Sequence, residues 1–529
     1  MRLTPSATSC CGASRAGRLE PLSGGGARGF GFDDQPGTSN RAAAQGGAGL
    51  GPHPRPIAET AERTSPFHER PRGTCTPTRC GSRSWSQSPE KTPSRRSPGS
   101  SREGVCVEDS QYFRAAPAIL AELRGFPIGP AEERIQLPQE RRAEDMSSET
   151  PYVLYGSHAS YATAKSRSYL RKKAIPFVER LPSAKRFREH VRPTSENHRI
   201  PQLEAPDGTV VQDTTAIFDF LEERFPEPAA YPPGPRQQLV ARLFEVLLDA
   251  ELGRVAWHYR WNFMDENYGF VGREFGRSFR PQGTNEELDH YGDIIAERME
   301  GKRAGLGDSP ALRPVLEQIY FEVLDILEEH FTTQPYLFGG LPSIADHVLM
   351  GSLFGHLARD PEPSRLMKTR APRVFRWTEH MNTPEIQSPE FAEAPMDYLP
   401  DDALPGTIPT LLRLCIADSA ASLIRSAEIY NTWAAEHDDL PPRSLVSPEG
   451  FDEAVVGGFE GRLRGVSVPM GASTYVLWVL QRGLDWFAAQ SEADRKAGRE
   501  LLATCGGEEL LDIALRRRLT RVGSRMAVV

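Results

Sequence analysis

Residues 199–221 read Arg199-Ile200-Pro201-Gln202-Leu203-Glu204-Ala205-Pro206-Asp207-Gly208-Thr209-Val210-Val211-Gln212-Asp213-Thr214-Thr215-Ala216-Ile217-Phe218-Asp219-Phe220-Leu221. Ile200 to Glu204 is a short strand opening at a proline, a position where the missing N–H costs no ladder bond. Pro206-Asp207-Gly208-Thr209 is a tight-turn signal, because Gly takes positive φ freely and Asp bonds its own backbone. Val210-Val211-Gln212 reads as the returning strand. From Thr215 to Phe225 the apolar residues Ile217, Phe218, Phe220 and Leu221 fall on one side of a helix.

Working toward the N-terminus, Ile175 to Glu179 reads as a strand and Lys185 to Val191 as a short helix. Ala164 to Lys173 reads as a helix whose basic residues crowd its C-terminal end, where they suit the dipole. A small polar loop, Gly156 to Ser160, separates it from the strand Tyr152-Val153-Leu154-Tyr155. The order is β-α-β-α-β-β-α within about 75 residues. Toward the C-terminus the pattern turns helical: Leu239 to Trp257, Pro310 to Phe331, Ser343 to Leu357, then 408–435, 473–489 and 495–520. Pro- and acid-rich linkers, Thr383 to Pro405 and Asp438 to Gly450, separate the later helices.

Composition bounds the rest. At 529 residues the length suits three to four units. The hydrophobic fraction of 39%, with 46 Gly and 45 Pro, is too low for one packed domain filling the chain. The poor segment is residues 1–145, which has Gly and Ser/Arg/Pro tracts and no periodicity, so it reads as a disordered extension. Its 19 Arg and one Lys face 16 acidic residues, too near balance for an RNA-binding arm or a transit peptide. Met146 is a plausible alternative start. The net charge of −8 argues against a nucleic-acid partner, and no apolar run is long enough to predict a membrane span. Five of seven cysteines lie before residue 107, and none has metal-ligand spacing. No metal site and no disulfide framework are expected, and a reducing, cytoplasmic setting is.

Three separated motifs in this order resemble the glutathione S-transferase family. They are Arg199-Ile200-Pro201-Gln202-Leu203, Asp213-Thr214 followed by Ala216-Ile217, and Pro342-Ser343-Ile344-Ala345-Asp346. The resemblance covers about residues 150–385. It implies an α+β fold: a thioredoxin-like β-α-β-α-β-β-α domain over 150–228, then an all-α domain over 236–400, with 401–529 an additional helical region outside it. It also implies glutathione as co-substrate, a small electrophile as the second substrate, a detoxifying transferase reaction and a homodimer. The alternative function is a non-catalytic binding protein that keeps the fold.

Residue by residue, the resemblance implies a cis bond before Pro201, which would turn the Ile200 backbone toward a bound peptide. A strand-opening trans proline is the other reading. Asp213 and Thr214 either cap the next helix or also hold the ammonium and carboxylate of the γ-glutamyl end of glutathione. Ser160 and Tyr155 are the alternatives for the hydroxyl that donates to the glutathione thiolate, with simple helix capping a third role for Ser160. Arg199, His198 and Lys185 are candidates for the glycine carboxylate. Trp257, His258 and Trp261 fall where the family lines its second-substrate pocket, with core packing the other reading of aromatics at helical spacing, and His258 and Arg260 beside them suit an anionic group. With no cysteine between Cys106 and Cys415, a mixed disulfide at this site is excluded. Ser343 and Asp346 form a capping box, so loss of Asp346 costs folding, on the order of 1 kcal/mol or more.

Overall fold

The hairpin and its flanking elements form one four-stranded mixed sheet. The structure, a computed structural model, describes residues 151–300, 307–447 and 454–529; the expected extension over 1–145 lies outside them. Strands β1 (Tyr152–Tyr155), β2 (Phe177–Arg180), β3 (Gln202–Glu204) and β4 (Val210–Gln212) run in the order β2-β1-β3-β4. β1 pairs parallel to β2, with Tyr152 opposite Phe177, and antiparallel to β3, with Leu154 opposite Leu203. β3 pairs antiparallel to β4, with Leu203 opposite Val211. The parallel pair needs a crossover, which is helix α1 (Tyr161–Lys172). A π-helical turn, Phe187–Val191, stands where the short helix was expected and runs into α2 (Arg192–Ser195). α3 (Thr214–Glu222) follows β4.

The next helices are α4 (Pro235–Asn262), α5 (Met264–Phe279), α6 (Asn285–Glu300), α7 (Arg313–His330), α8 (Ile344–Ser352), α9 (Pro361–Arg370) and α10 (Pro372–His380). α4 is the spine. Leu239, Val240, Leu243, Phe244, Leu247, Leu248, Leu252 and Val255 are all buried, and they fall on more than one face of the helix. That is the pattern of a helix covered from several sides rather than along one stripe. α7 and α8 pack against it, and so do three helices of the C-terminal region.

Those helices are α11 (Thr407–Glu436), α12 (Thr474–Ala488) and α13 (Glu492–Cys505). The region also contains two β-hairpins that the sequence reading did not foresee. β5 (Val455–Leu463) pairs with β6 (Val466–Ser473) through a two-residue turn, Arg464-Gly465, both at positive φ. Such turns match the strand twist. β7 (Leu519–Val522) pairs with β8 (Arg525–Val528). The helix expected over 495–520 stops at Cys505 because Gly506 takes a left-handed C-terminal conformation at φ 75°. α11 is the one helix among the described residues long and apolar enough to cross a membrane. Here Ile408, Leu411, Leu412, Cys415 and Ile416 are buried in the core.

Candidate functional site

Two cavities meet where the sheet domain, α4 and the C-terminal region come together. The smaller, about 290 Å³, is lined by Arg199, Ile200, Pro201, Asp213, Thr214 and Lys165, with Tyr475 and Arg521 from the C-terminal region. The larger, about 930 Å³, is lined by Trp257, His258 and Trp261 of α4 and by residues of α11, β5 and β6. Tyr161, Asp249 and Tyr475 belong to both.

The Ile200–Pro201 bond is cis. Asp213 caps α3: its Oδ1 accepts the N–H groups of Thr215 (3.0 Å) and Ala216 (3.3 Å). Its φ of 87° with ψ 143° is a conformation that non-glycine residues rarely hold, and such outliers concentrate at ligand sites. Asp213 Oδ2 also accepts the Tyr475 hydroxyl at 2.9 Å, and Arg521 Nη1 stands 3.4 Å from Oδ1. Arg521 in turn donates to the carbonyl and side chain of Gln212, at 3.1 and 2.8 Å. Thr214 Oγ1 donates to the Ala162 carbonyl at 3.3 Å, tying α3 to α1.

At the first turn of α1, Ser160 Oγ accepts the Thr163 N–H at 3.2 Å. That bond uses a lone pair, so the hydroxyl proton remains to be donated. Ser160 lines neither cavity, although its neighbours Ala159 and Tyr161 line the larger one. Tyr161 donates to Asp249 Oδ1 at 2.7 Å, and Lys165 Nζ pairs with the same carboxylate at 2.6 Å. Burial, reinforced by Asp249, raises the Tyr161 hydroxyl well above its ordinary pKa, so it is a poor acid.

Tyr155 is elsewhere. Its hydroxyl donates to Glu204 at 2.9 Å, Arg186 holds the same carboxylate, and the ring packs on Phe187. Burial, then the Glu204 bond, pushes its pKa up to about 12. Tyr155 therefore does not face the cavities that hold the other candidates. A Tyr155→Phe variant is expected to leave glutathione affinity and any turnover unchanged. It should lower stability by about 1 kcal/mol, the value of one hydrogen bond, readable in a urea titration.

Of the candidate cations, Arg199 lines the smaller cavity, whereas Lys185 is exposed and pairs with Glu189 at 3.9 Å, and His198 lines neither cavity. Trp257, His258 and Trp261 share one wall as read from the sequence, but Arg260 does not serve an anionic ligand. It is buried and forks onto Asp360 at 2.7 and 2.8 Å. His258 is likewise engaged, by Asn262 at 2.9 Å and Glu317 at 3.3 Å. Tyr475 and Arg521 were missed because they lie more than 250 residues beyond Asp213, and no local pattern marks such a pairing. Among the described residues Cys415 and Cys505 are free and buried, and no group of His, Cys, Asp and Glu could hold a metal ion.

Two family models match the chain in this order: the glutathione S-transferase N-terminal domain over residues 154–229 and the glutathione S-transferase C-terminal domain over 293–380. Over this span the chain belongs to the glutathione S-transferase family. Similar solved structures include a glutathione S-transferase from Methylobacterium radiotolerans in complex with glutathione sulfonate, 20% identical. It covers 47% of this chain and 96% of its own, with a TM-score of 0.28. A beta-etherase from Sphingobium sp. strain SYK-6 is 19% identical over 46% of this chain and 98% of its own, with a TM-score of 0.32. A glutathione transferase from Phanerochaete chrysosporium is 18% identical over 46% of this chain and 100% of its own, with a TM-score of 0.34. No curated protein matches the chain. α11, α12 and both C-terminal hairpins lie beyond the matched domains, yet this region supplies Tyr475 and Arg521 to the smaller cavity.

Proposed function

We propose that this chain binds glutathione in the smaller cavity and joins its sulfur to, or isomerises through it, a small electrophile held in the larger. The observation that carries the reading is the convergence of Ile200, Pro201, Arg199, Asp213 and Thr214 on one polar cavity that adjoins an aromatic one. Asp213 would take the γ-glutamyl ammonium, and Thr214 with the α3 N-terminus its carboxylate. Arg199 or Arg521 would take the glycine carboxylate. Ser160 would donate its spare proton to the sulfur, lowering the thiol pKa toward neutrality with help from the α1 dipole. The thiolate then attacks the electrophilic carbon. A C–S bond forms, and the displaced electron pair leaves with the departing group or is protonated on a neighbouring atom. The buried free cysteines suit a reducing, cytoplasmic setting.

Turnover of a small panel of aromatic halides and epoxides with glutathione tests this reading. Ser160→Ala is expected to reduce kcat/KM about 100-fold with glutathione affinity nearly kept, as for loss of one donor to a developing anion. An unchanged rate would remove Ser160 from the chemistry. A second reading, a binding protein without catalysis, is favoured by Tyr475 and Arg521, which already stand against the Asp213 carboxylate. It predicts no turnover of any electrophile by the unaltered protein.

A further inference from the structure

The larger cavity contains a guanidinium that forms no ion pair with the acids of its own walls. Arg254, half-buried on α4, lines it and makes no hydrogen bond or ion pair among the described residues. The acids around the cavity are already matched: Asp249 with Lys165, Asp308 with Arg313, and Asp418 with Arg464. Glu251, one turn before Arg254, is buried. That burial, with Asp418 beside it, pushes its carboxyl well above the usual range against the pull of Arg464 and Arg254, and it makes no hydrogen bond or ion pair with Arg254. One turn after Arg254, Trp257 also lines the cavity and has a buried indole N–H with no partner. The rings of Trp257 and Trp261 lie 5.8 Å apart, and Trp261 stacks on Phe275 at 6.0 Å.

A partly buried cation gains from a partner, and a guanidinium fork suits the two oxygens of a carboxylate. Aromatic walls suit a flat ring. The volume of about 930 Å³ lies within the range of small-molecule sites, roughly 300–1,000 Å³. We propose that the larger cavity takes an aromatic carboxylic acid, its ring among Trp257, Trp261 and Phe275 and its carboxylate on Arg254. Much of the remaining lining comes from α11, β5 and β6, beyond the matched family domains, so the site is a feature of this chain. The inference names the substrate class of the acceptor pocket and rests on that reading of the cavity, but its test needs no glutathione.

Naphthalene-2-carboxylate and its uncharged carboxamide, titrated separately into the full-length protein by calorimetry, provide the comparison. The acid is expected to bind at least about tenfold more tightly than the amide, the scale of a charged hydrogen bond. In Arg254→Met the ratio falls to about one with the amide's affinity unchanged. Because the acid–amide comparison is made on the unaltered protein, it stands even if that variant folds poorly. Equal affinities for acid and amide, or no binding of either at millimolar concentration, overturn the proposal. So does an Arg254→Met variant that loses glutathione instead of the acid preference. A protein that binds the acid but not glutathione keeps this site and sinks the transferase reading alone.

Discussion

Replacing Arg260 by methionine is expected to lower folding stability by about 3–5 kcal/mol, the cost of stranding one member of a buried ion pair. Arg260 and Asp360 are 2% and 1% exposed, so neither charge can turn to water. Burial alone pushes the Asp360 carboxyl upward, and Arg260 opposes that. Without the guanidinium, Asp360 must be protonated or left unpaired. Arg260 also donates to the carbonyls of Ala159 (2.8 Å) and Gly355 (3.0 Å). It therefore ties the loop that ends at Ser160 to Leu353–Leu357, the π-helical turn that follows α8. Arg260→Lys, which keeps the charge but not the fork, should retain most of the stability while lowering turnover more than glutathione affinity. The double variant Arg260→Met/Asp360→Leu should recover much of the lost stability, because removing both charges leaves none stranded. Urea titrations of the three proteins check the order, and an Arg260→Met variant within about 1 kcal/mol of the parent would contradict the account.

Asp346→Ala carries the second large effect, again about 3–5 kcal/mol. Asp346 is fully buried and its carboxylate accepts three donors: Ser343 N–H at 2.9 Å, Ser343 O–H at 2.7 Å and Leu337 N–H at 3.0 Å. The capping box read from the sequence accounts for the Ser343 N–H bond, and for the Asp346 N–H that the Ser343 hydroxyl oxygen accepts at 3.4 Å. The Leu337 bond is additional, and it joins the start of α8 to the preceding loop. Each orphaned buried donor costs about 1–3 kcal/mol, so the total exceeds an ordinary cap. The pH dependence has a definite sign. Burial raises the folded pKa to about 6 from an ordinary 3.8, so between those values the folded state holds more of this proton than the unfolded state. This group's contribution therefore favours folding most at the acid end and declines as pH rises from about 4 to about 6. Against Asp346→Ala, the parent should show the more negative slope of stability with pH in that window. Parallel slopes would remove Asp346 as the cause.

The sheet domain was legible because its signals are local. A strand-opening proline, an Asp-Gly turn and an apolar helix stripe lie within 27 residues, and the structure forms β3, the turn, β4 and α3 from them. Ser343 and Asp346 were legible for the same reason, being three residues apart on one helix start. The β5–β6 hairpin left a fainter trace: Arg464-Gly465 is a turn dipeptide, but the flanking strands contain Gly457, Gly458, Gly461 and Pro469, which strand patterns seldom include. α5 and α6 were passed over because their sequences are polar over much of their length; among α5's few buried positions are Gly272 and Gly276, where no apolar side chain marks the contact. The site was legible only in part. Asp213 and Thr214, adjacent at one helix start, could be named together, and both line the smaller cavity. Tyr475, Arg521 and Arg254 depend on how α11, α12 and the hairpins fold back onto α4, and on which acids they neutralise. Arg260 was misread for that reason, since nothing near it in sequence announces Asp360.

Calorimetric titration of glutathione into the full-length chain, beside Asp213→Ala, tests the central claim most directly. The account predicts a dissociation constant of about 10 μM to 1 mM, weakened about tenfold or more by the variant. The absence of both heat and thermal stabilisation at about 10 mM glutathione would contradict it. The two cavities would then belong to a binding protein whose C-terminal region has closed the glutathione site.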